Sequence, residues 1–140
     1  MIIIIMFTFT TKSKYGLFAL LEMAQNYGNP PLNVKEIAAR RNISPQYLEQ
    51  LLNRLIKPGL ILAVRGQKGG FVLARPPREI ALVDVLEALE GPLALSQNIA
   101  ENDALLEYAR QAEATLRRVL NVPLSDVLAR QEARAVMFHI

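Results

Sequence analysis

Asn33-Val34-Lys35-Glu36-Ile37-Ala38-Ala39-Arg40-Arg41-Asn42-Ile43-Ser44-Pro45-Gln46-Tyr47-Leu48-Glu49-Gln50-Leu51-Leu52-Asn53-Arg54-Leu55-Ile56-Lys57-Pro58-Gly59 is the stretch that decides the fold. Asn33 with Glu36 three residues on has the form of a capping box, in which each side chain satisfies an amide of the first helical turn. It opens a short helix through Arg41, with Ile37 and Ala38 facing inward. Asn42-Ile43 is a tight turn. Ser44 then reads as an N-cap, and Pro45 as the first helical residue, where its missing N–H costs nothing. In this longer helix Leu48, Leu51, Leu52 and Leu55 form one apolar stripe, and Gln46, Glu49, Gln50, Asn53, Arg54 and Lys57 occupy the opposite side. Pro58-Gly59 stops it.

Two short aliphatic runs follow, residues 60–64 and 71–74, separated by Arg65-Gly66-Gln67-Lys68-Gly69-Gly70. Glycines at that spacing suit a hairpin tip. A short helix, a turn, a longer helix and a basic hairpin, in that order within residues 33–74, spell a winged helix-turn-helix. Upstream, Leu17, Leu20, Leu21 and Ala24 repeat at helical spacing and predict a helix over residues 14–27, ended by Gly28-Asn29-Pro30-Pro31. Downstream of Pro76-Pro77, residues 82–90 read as a helix closed by Gly91-Pro92, and residues 93–100 as loop. Over residues 101–120, Leu105, Ala109, Ala112, Leu116 and Val119 recur at intervals of 4, 3, 4 and 3, a heptad-like seam suited to pairing with a second copy. Asn121-Val122-Pro123 ends that helix, and a last one runs over about residues 125–138. The expected fold class is therefore mainly α with a small β-hairpin: a winged helix-turn-helix plus a long dimerisation helix. Its organisation is an apolar extension (1–8), a DNA-binding domain (9–91) and a dimerisation and C-terminal helical part (92–140).

Composition agrees. At 140 residues, 51% of them apolar, the chain can bury one core but cannot hold two enzymatic domains. Its net charge of +3 conceals an asymmetry: residues 1–78 hold eleven Lys or Arg against three acids, and the remainder five Arg against ten acids. A basic half suits a polyanion and an acidic half suits protein contacts. With no cysteine, disulfides and thiolate metal sites are excluded. A lone His139 is more often structural or solvated than a ligand, so no metal or cofactor is expected. The opening residues 1–7 are apolar but far short of the roughly 20 needed to cross a bilayer, which points to a cytoplasmic protein without a membrane partner. Either Met6 is the initiator or the segment is a strand seeking a partner.

The major groove is read bidentately by Gln or Asn at adenine and by Arg at guanine. Gln46, Gln50 and Arg54 are accordingly the base-reading candidates, with Glu49 able to accept from a cytosine amine or to orient an Arg. Lys12, Lys14 and Lys68 suit phosphates. Arg65, beside Gly66 at the hairpin tip, suits a narrow minor groove. Tyr47 is either core or a phosphate contact.

Four strings carry a resemblance: residues 10–17 (Thr-Thr-Lys-Ser-Lys-Tyr-Gly-Leu), 43–52 (Ile-Ser-Pro-Gln-Tyr-Leu-Glu-Gln-Leu-Leu), 64–71 (Val-Arg-Gly-Gln-Lys-Gly-Gly-Phe) and 84–91 (Asp-Val-Leu-Glu-Ala-Leu-Glu-Gly). Together the chain resembles the Rrf-type family of bacterial winged helix-turn-helix repressors, the IscR, NsrR and CymR group. The resemblance implies a homodimer whose long late helices cross, each subunit setting a recognition helix and a wing on a partly palindromic operator. It places Tyr15, Ser44, Gln46, Tyr47, Glu49, Gln50, Arg65 and Lys68 at DNA-contacting positions. Many members bind an iron–sulfur cluster through three cysteines after the wing-following helix. Residues 92–103 here contain none, so the chain is similar to the cluster-free branch, with an effector protein or metabolite left open. The alternative class is a winged-helix docking subunit of a larger assembly, which would not require a Gln-rich face beside a cationic wing. An enzyme is disfavoured, since one His, no Cys and no phosphate loop leave no catalytic set.

Overall fold

The computed structural model describes residues 8–138; the apolar opening through Phe7 and the lone His139 lie outside them. Its elements are helices α1 (Thr11–Gln25), α2 (Val34–Arg40) and α3 (Pro45–Ile56), strands β1 (Ile61–Val64) and β2 (Gly70–Leu73), a 3-10 turn (Pro77–Glu79), and helices α4 (Leu82–Glu90), α5 (Ala104–Leu120) and α6 (Leu124–Phe138). The mainly helical fold with one antiparallel hairpin is the one expected. Each boundary has a local cause. Asn33 Oδ1 accepts from the Lys35 amide at 2.7 Å, and Glu36 puts negative charge in the first turn of α2, where the helix dipole favours it. The Ser44 hydroxyl accepts from the Tyr47 amide at 3.4 Å, with Pro45 opening α3. Asn42 takes the left-handed turn between these helices at φ 54°. Helix α1 begins three residues before the expected start at residue 14 because a polar cap, the Thr10 hydroxyl accepting from the Lys12 amide, starts it. Asp103 caps α5 in the same way through the Leu105 amide at 2.9 Å, so that helix starts at Ala104.

The core is a single cluster gathered around α3. Leu48, Leu51, Leu52 and Leu55 are each at most 1% exposed, packed with Leu20 and Met23 of α1, Ile37 and Ala38 of α2, Val85 and Leu89 of α4, and Ile61, Phe71 and Leu73 of the hairpin. At about 1.5–3 kcal/mol for each fully buried leucine, the stripe is what fixes α3 in place and leaves its other side to solvent. In the hairpin, Ile61 faces Leu73 and Val64 faces Gly70. Leu32 adds one bridge to Phe71, exchanging both backbone hydrogen bonds at 3.0 and 3.1 Å, which ties the wing base to the segment before α2. The chain after α5 returns to this body. The Leu82 amide donates to Val122 O and the Leu124 amide to Ile80 O, both at 2.8 Å, and Leu124 joins the core with Val127 and Leu128 packed on it.

Candidate nucleic-acid interface

Packing decides which side of α3 is displayed. With the leucine stripe buried, Gln46, Glu49, Gln50 and Asn53 stand exposed in a row. Ser44 Oγ donates to Gln46 Oε1 at 3.0 Å, which fixes the amide orientation at the start of the helix. Tyr47, left between core and phosphate by the sequence, is half-buried and packs against the core. Its ring meets Tyr15 of α1 edge-to-face, centroids 6.3 Å apart, and Lys14 Nζ lies 5.8 Å from the Tyr15 centroid. A Lys14–Tyr15–Tyr47 row thus joins the start of α1 to the start of α3, in an arrangement aromatic pairs and cations over rings both favour. Arg54 is placed differently from the other reading candidates. Its Nη1 donates to the Leu89 carbonyl at the end of α4, at 3.3 Å, so at least part of the guanidinium anchors α3 to its own chain.

At the wing, Arg65, Gly66, Gln67 and Lys68 are all exposed, and the Gly69 amide donates to Gly66 O at 3.0 Å to close the tip. Gly66 sits at φ 114°, a conformation that residues with a Cβ rarely adopt. Among the described residues the ion pairs are Arg40–Glu22, Arg110–Glu101 and Arg117–Glu87. Lys12, Lys14, Arg65 and Lys68 belong to none of them, whereas Arg40 is neutralised by Glu22 and Arg41 lies over the Phe18 ring at 4.2 Å. Cations outside those ion pairs thus stand at the start of α1 and at the wing tip.

The acidic half carries a second exposed surface. On α5, Leu105 (58% exposed), Tyr108 (68%), Leu116 (39%) and Val119 (62%) form an apolar stripe with Ala112. Ala109, placed on the seam by heptad spacing, instead turns inward with Leu106 and is 8% exposed; Tyr108 holds its place in the stripe. Behind that helix the loop from Gly91 to Asp103 is held by carboxylates. Glu113 accepts from the Leu95 amide, from the Ser96 amide at 2.7 Å and from the Ser96 hydroxyl at 3.0 Å. Glu87 takes a bidentate pair from Arg117 at 2.8 and 3.2 Å and the Leu93 amide at 2.9 Å. The Ser96 amide holds the Glu113 carboxyl below its ordinary value, and the Arg117 hydrogen bond does the same for Glu87. Among the described residues no helix is long and apolar enough to cross a membrane.

Residues 9–130 match the family described as Rrf2, iron-dependent transcriptional regulator. The HTH-type transcriptional regulator CymR of Bacillus subtilis is 34% identical over 135 residues, which span 94% of this chain and 98% of CymR. The protein Rrf2 of Nitratidesulfovibrio vulgaris is 42% identical over 128 residues, 85% of each chain. Among solved structures, that of B. subtilis CymR, the global cysteine regulator of that bacterium, superposes with a TM-score of 0.76 at 34% identity, covering 89% of this chain and 98% of the other. IscR of T. potens gives 0.74 at 34% identity over 91% and 90%.

The family's iron-dependence implies a metal group, and the donors present here do not fit one. The sequence has no thiolate to offer, the Ser96 hydroxyl between α4 and α5 is committed to Glu113, and no group of three His, Cys, Asp or Glu is gathered among the described residues. In fold, displayed helix and cationic wing alike, this chain belongs to the Rrf2 family of transcriptional regulators, non-enzymatic winged helix-turn-helix DNA-binding proteins.

Proposed function

We propose that the chain is a sequence-specific transcriptional repressor that acts in the cytoplasm as a homodimer on a partly palindromic operator, without an iron–sulfur cluster. The observation that carries this reading is the display of the Gln46–Glu49–Gln50 row and the Arg65–Lys68 wing to solvent, with the Lys14–Tyr15–Tyr47 contacts tying the start of α1 to that of α3. In this reading Gln46 and Gln50 meet base edges, Glu49 accepts from an exocyclic amine, and Ser44, Tyr15, Tyr47, Lys12, Lys14 and Lys68 serve the phosphates. Arg65 enters the minor groove with Gly66 giving the backbone close approach. Arg54 holds α3 against α4. The exposed α5 stripe supports pairing with a second copy, because a row of large apolar side chains left in water is stabilised by mutual burial.

Gel-shift titration against an operator selected from random duplexes tests the face. Gln50→Ala and Arg65→Ala are each expected to weaken operator binding by about 1–3 kcal/mol and to relax preference at one position. Lys68→Ala is expected to weaken all sequences alike and to flatten the salt dependence. Wild-type affinity in all three variants would remove the assigned reading face.

A further inference from the structure

Glu90 is the last residue of α4, at the end of the helix where the macrodipole disfavours a carboxylate. Its place is explained by what it touches 80 residues back in the chain. Glu90 Oε2 accepts from the Thr10 amide and from the Ser13 hydroxyl, both at 2.7 Å, and the Thr10 hydroxyl donates to the same carboxylate at 2.8 and 3.0 Å. Thr10 is the N-cap of α1, and Ser13 is the one buried polar residue among those described. One residue earlier, the Leu89 carbonyl accepts from Arg54 of α3, and the Leu89 side chain lies so close to Gly16 of α1 that a Cβ there would come within 2.5 Å of it. The end of α4 thus holds both helices that carry the DNA-facing residues.

We propose that Glu90 is the positioning residue for DNA binding, fixing the start of α1 so that Lys12 and Lys14 meet phosphates in register with α3. The proposal rests on the DNA-facing role assigned above to those lysines. Electrostatics alone makes the opposite forecast. Removing an acid from a protein that binds a polyanion raises affinity and leaves the number of phosphate contacts intact. A positioning role lowers affinity and reduces that number, because a loosened α1 start no longer delivers its two lysines.

The test is fluorescence anisotropy of the full chain on its selected operator, across a series of salt concentrations, for wild type, Glu90→Ala, Glu90→Gln, Lys12→Ala/Lys14→Ala and the combined triple variant. Each lost phosphate contact flattens the plot of log K against log salt by about 0.9, so the lysine pair is expected to cost about 1.8 per subunit. Glu90→Ala is expected to move the slope toward that of the lysine pair and to weaken binding about tenfold, while adding less than about twofold once the lysines are gone, as coupled neighbours do. Glu90→Gln, which keeps one acceptor for the Thr10 amide, is expected to fall between and decides the question if Glu90→Ala does not fold. A wild-type slope in the Glu90 variants beside a flattened one in the lysine pair overturns the positioning role alone. A wild-type slope in the lysine pair overturns it together with the DNA-facing reading of α1.

Discussion

Replacing Leu116 by arginine tests whether the α5 stripe joins two copies. In a two-fold interface one substitution enters twice, and Leu116 has 39% of its surface still open to a partner. Scaling the roughly 1.5–3 kcal/mol of a fully buried leucine by that fraction gives about 0.6–1.2 kcal/mol per copy, or about 1–2.5 kcal/mol for the pair. Two guanidinium groups facing one another across an apolar seam add a desolvation and repulsion cost of several kcal/mol. A total of about 4 kcal/mol corresponds to nearly a thousandfold in the dimer dissociation constant. Light scattering after size exclusion at micromolar concentration reads the result as a halved mass, and operator affinity falls with it because the second half-site is no longer tethered. Gln111→Arg, on the same helix but off the stripe, is the control and is expected to stay dimeric. A Leu116→Arg protein of unchanged mass would refute α5 as the seam.

Three further outcomes follow from the hydrogen bonds. Arg54→Ala removes the anchor to Leu89 O and is expected to lower stability in urea titration by about 0.5–1.5 kcal/mol while leaving base preference unchanged; a changed preference with unchanged stability would return Arg54 to the reading set. Glu113→Ala frees the loop before α5, so hydrogen exchange at the Leu95 and Ser96 amides is expected to quicken while exchange in α3 stays as in wild type. Glu87 and Glu113 are held below the ordinary glutamate value by Arg117 and the Ser96 amide; at Glu90 burial pushes up, but bonds from Ser13 and Thr10 outweigh it. A carboxylate with a lowered folded pKa stabilises fully above its unfolded value and loses that contribution as pH falls through the folded one. Melting temperature is therefore expected to drop below about pH 4.5, with a smaller drop in Glu87→Gln; equal drops would deny that carboxylate its part.

What the sequence disclosed was local. Ser44-Pro45, the leucine stripe and the Gly-flanked tip each act within a turn or a hairpin, and α3 and the wing stand where those signals put them. The α1 start was hidden because periodicity tracks buried apolar residues, whereas the first turn, Thr11-Lys12-Ser13, is polar and set by its cap. The Leu32–Phe71 bridge was too short to show alternation. Ala109 was misplaced on the seam for a geometric reason: 3.5-residue spacing cannot say which of two neighbouring helix faces looks outward until α4 covers one of them. The partners of Arg54 and Glu90 lie 35 and 80 residues away. Glu90 did leave a trace, an acid at a helix C-terminus, which is unfavourable unless another element supplies donors.

Hydroxyl-radical footprinting of the wild-type protein on its selected operator addresses the central claim most directly. Two copies, each setting α3 and a wing on the duplex, predict two protected half-sites about 34–36 Å apart on one face of the helix, related by approximate two-fold symmetry. A single protected patch, or protection with no helical phase, would contradict it.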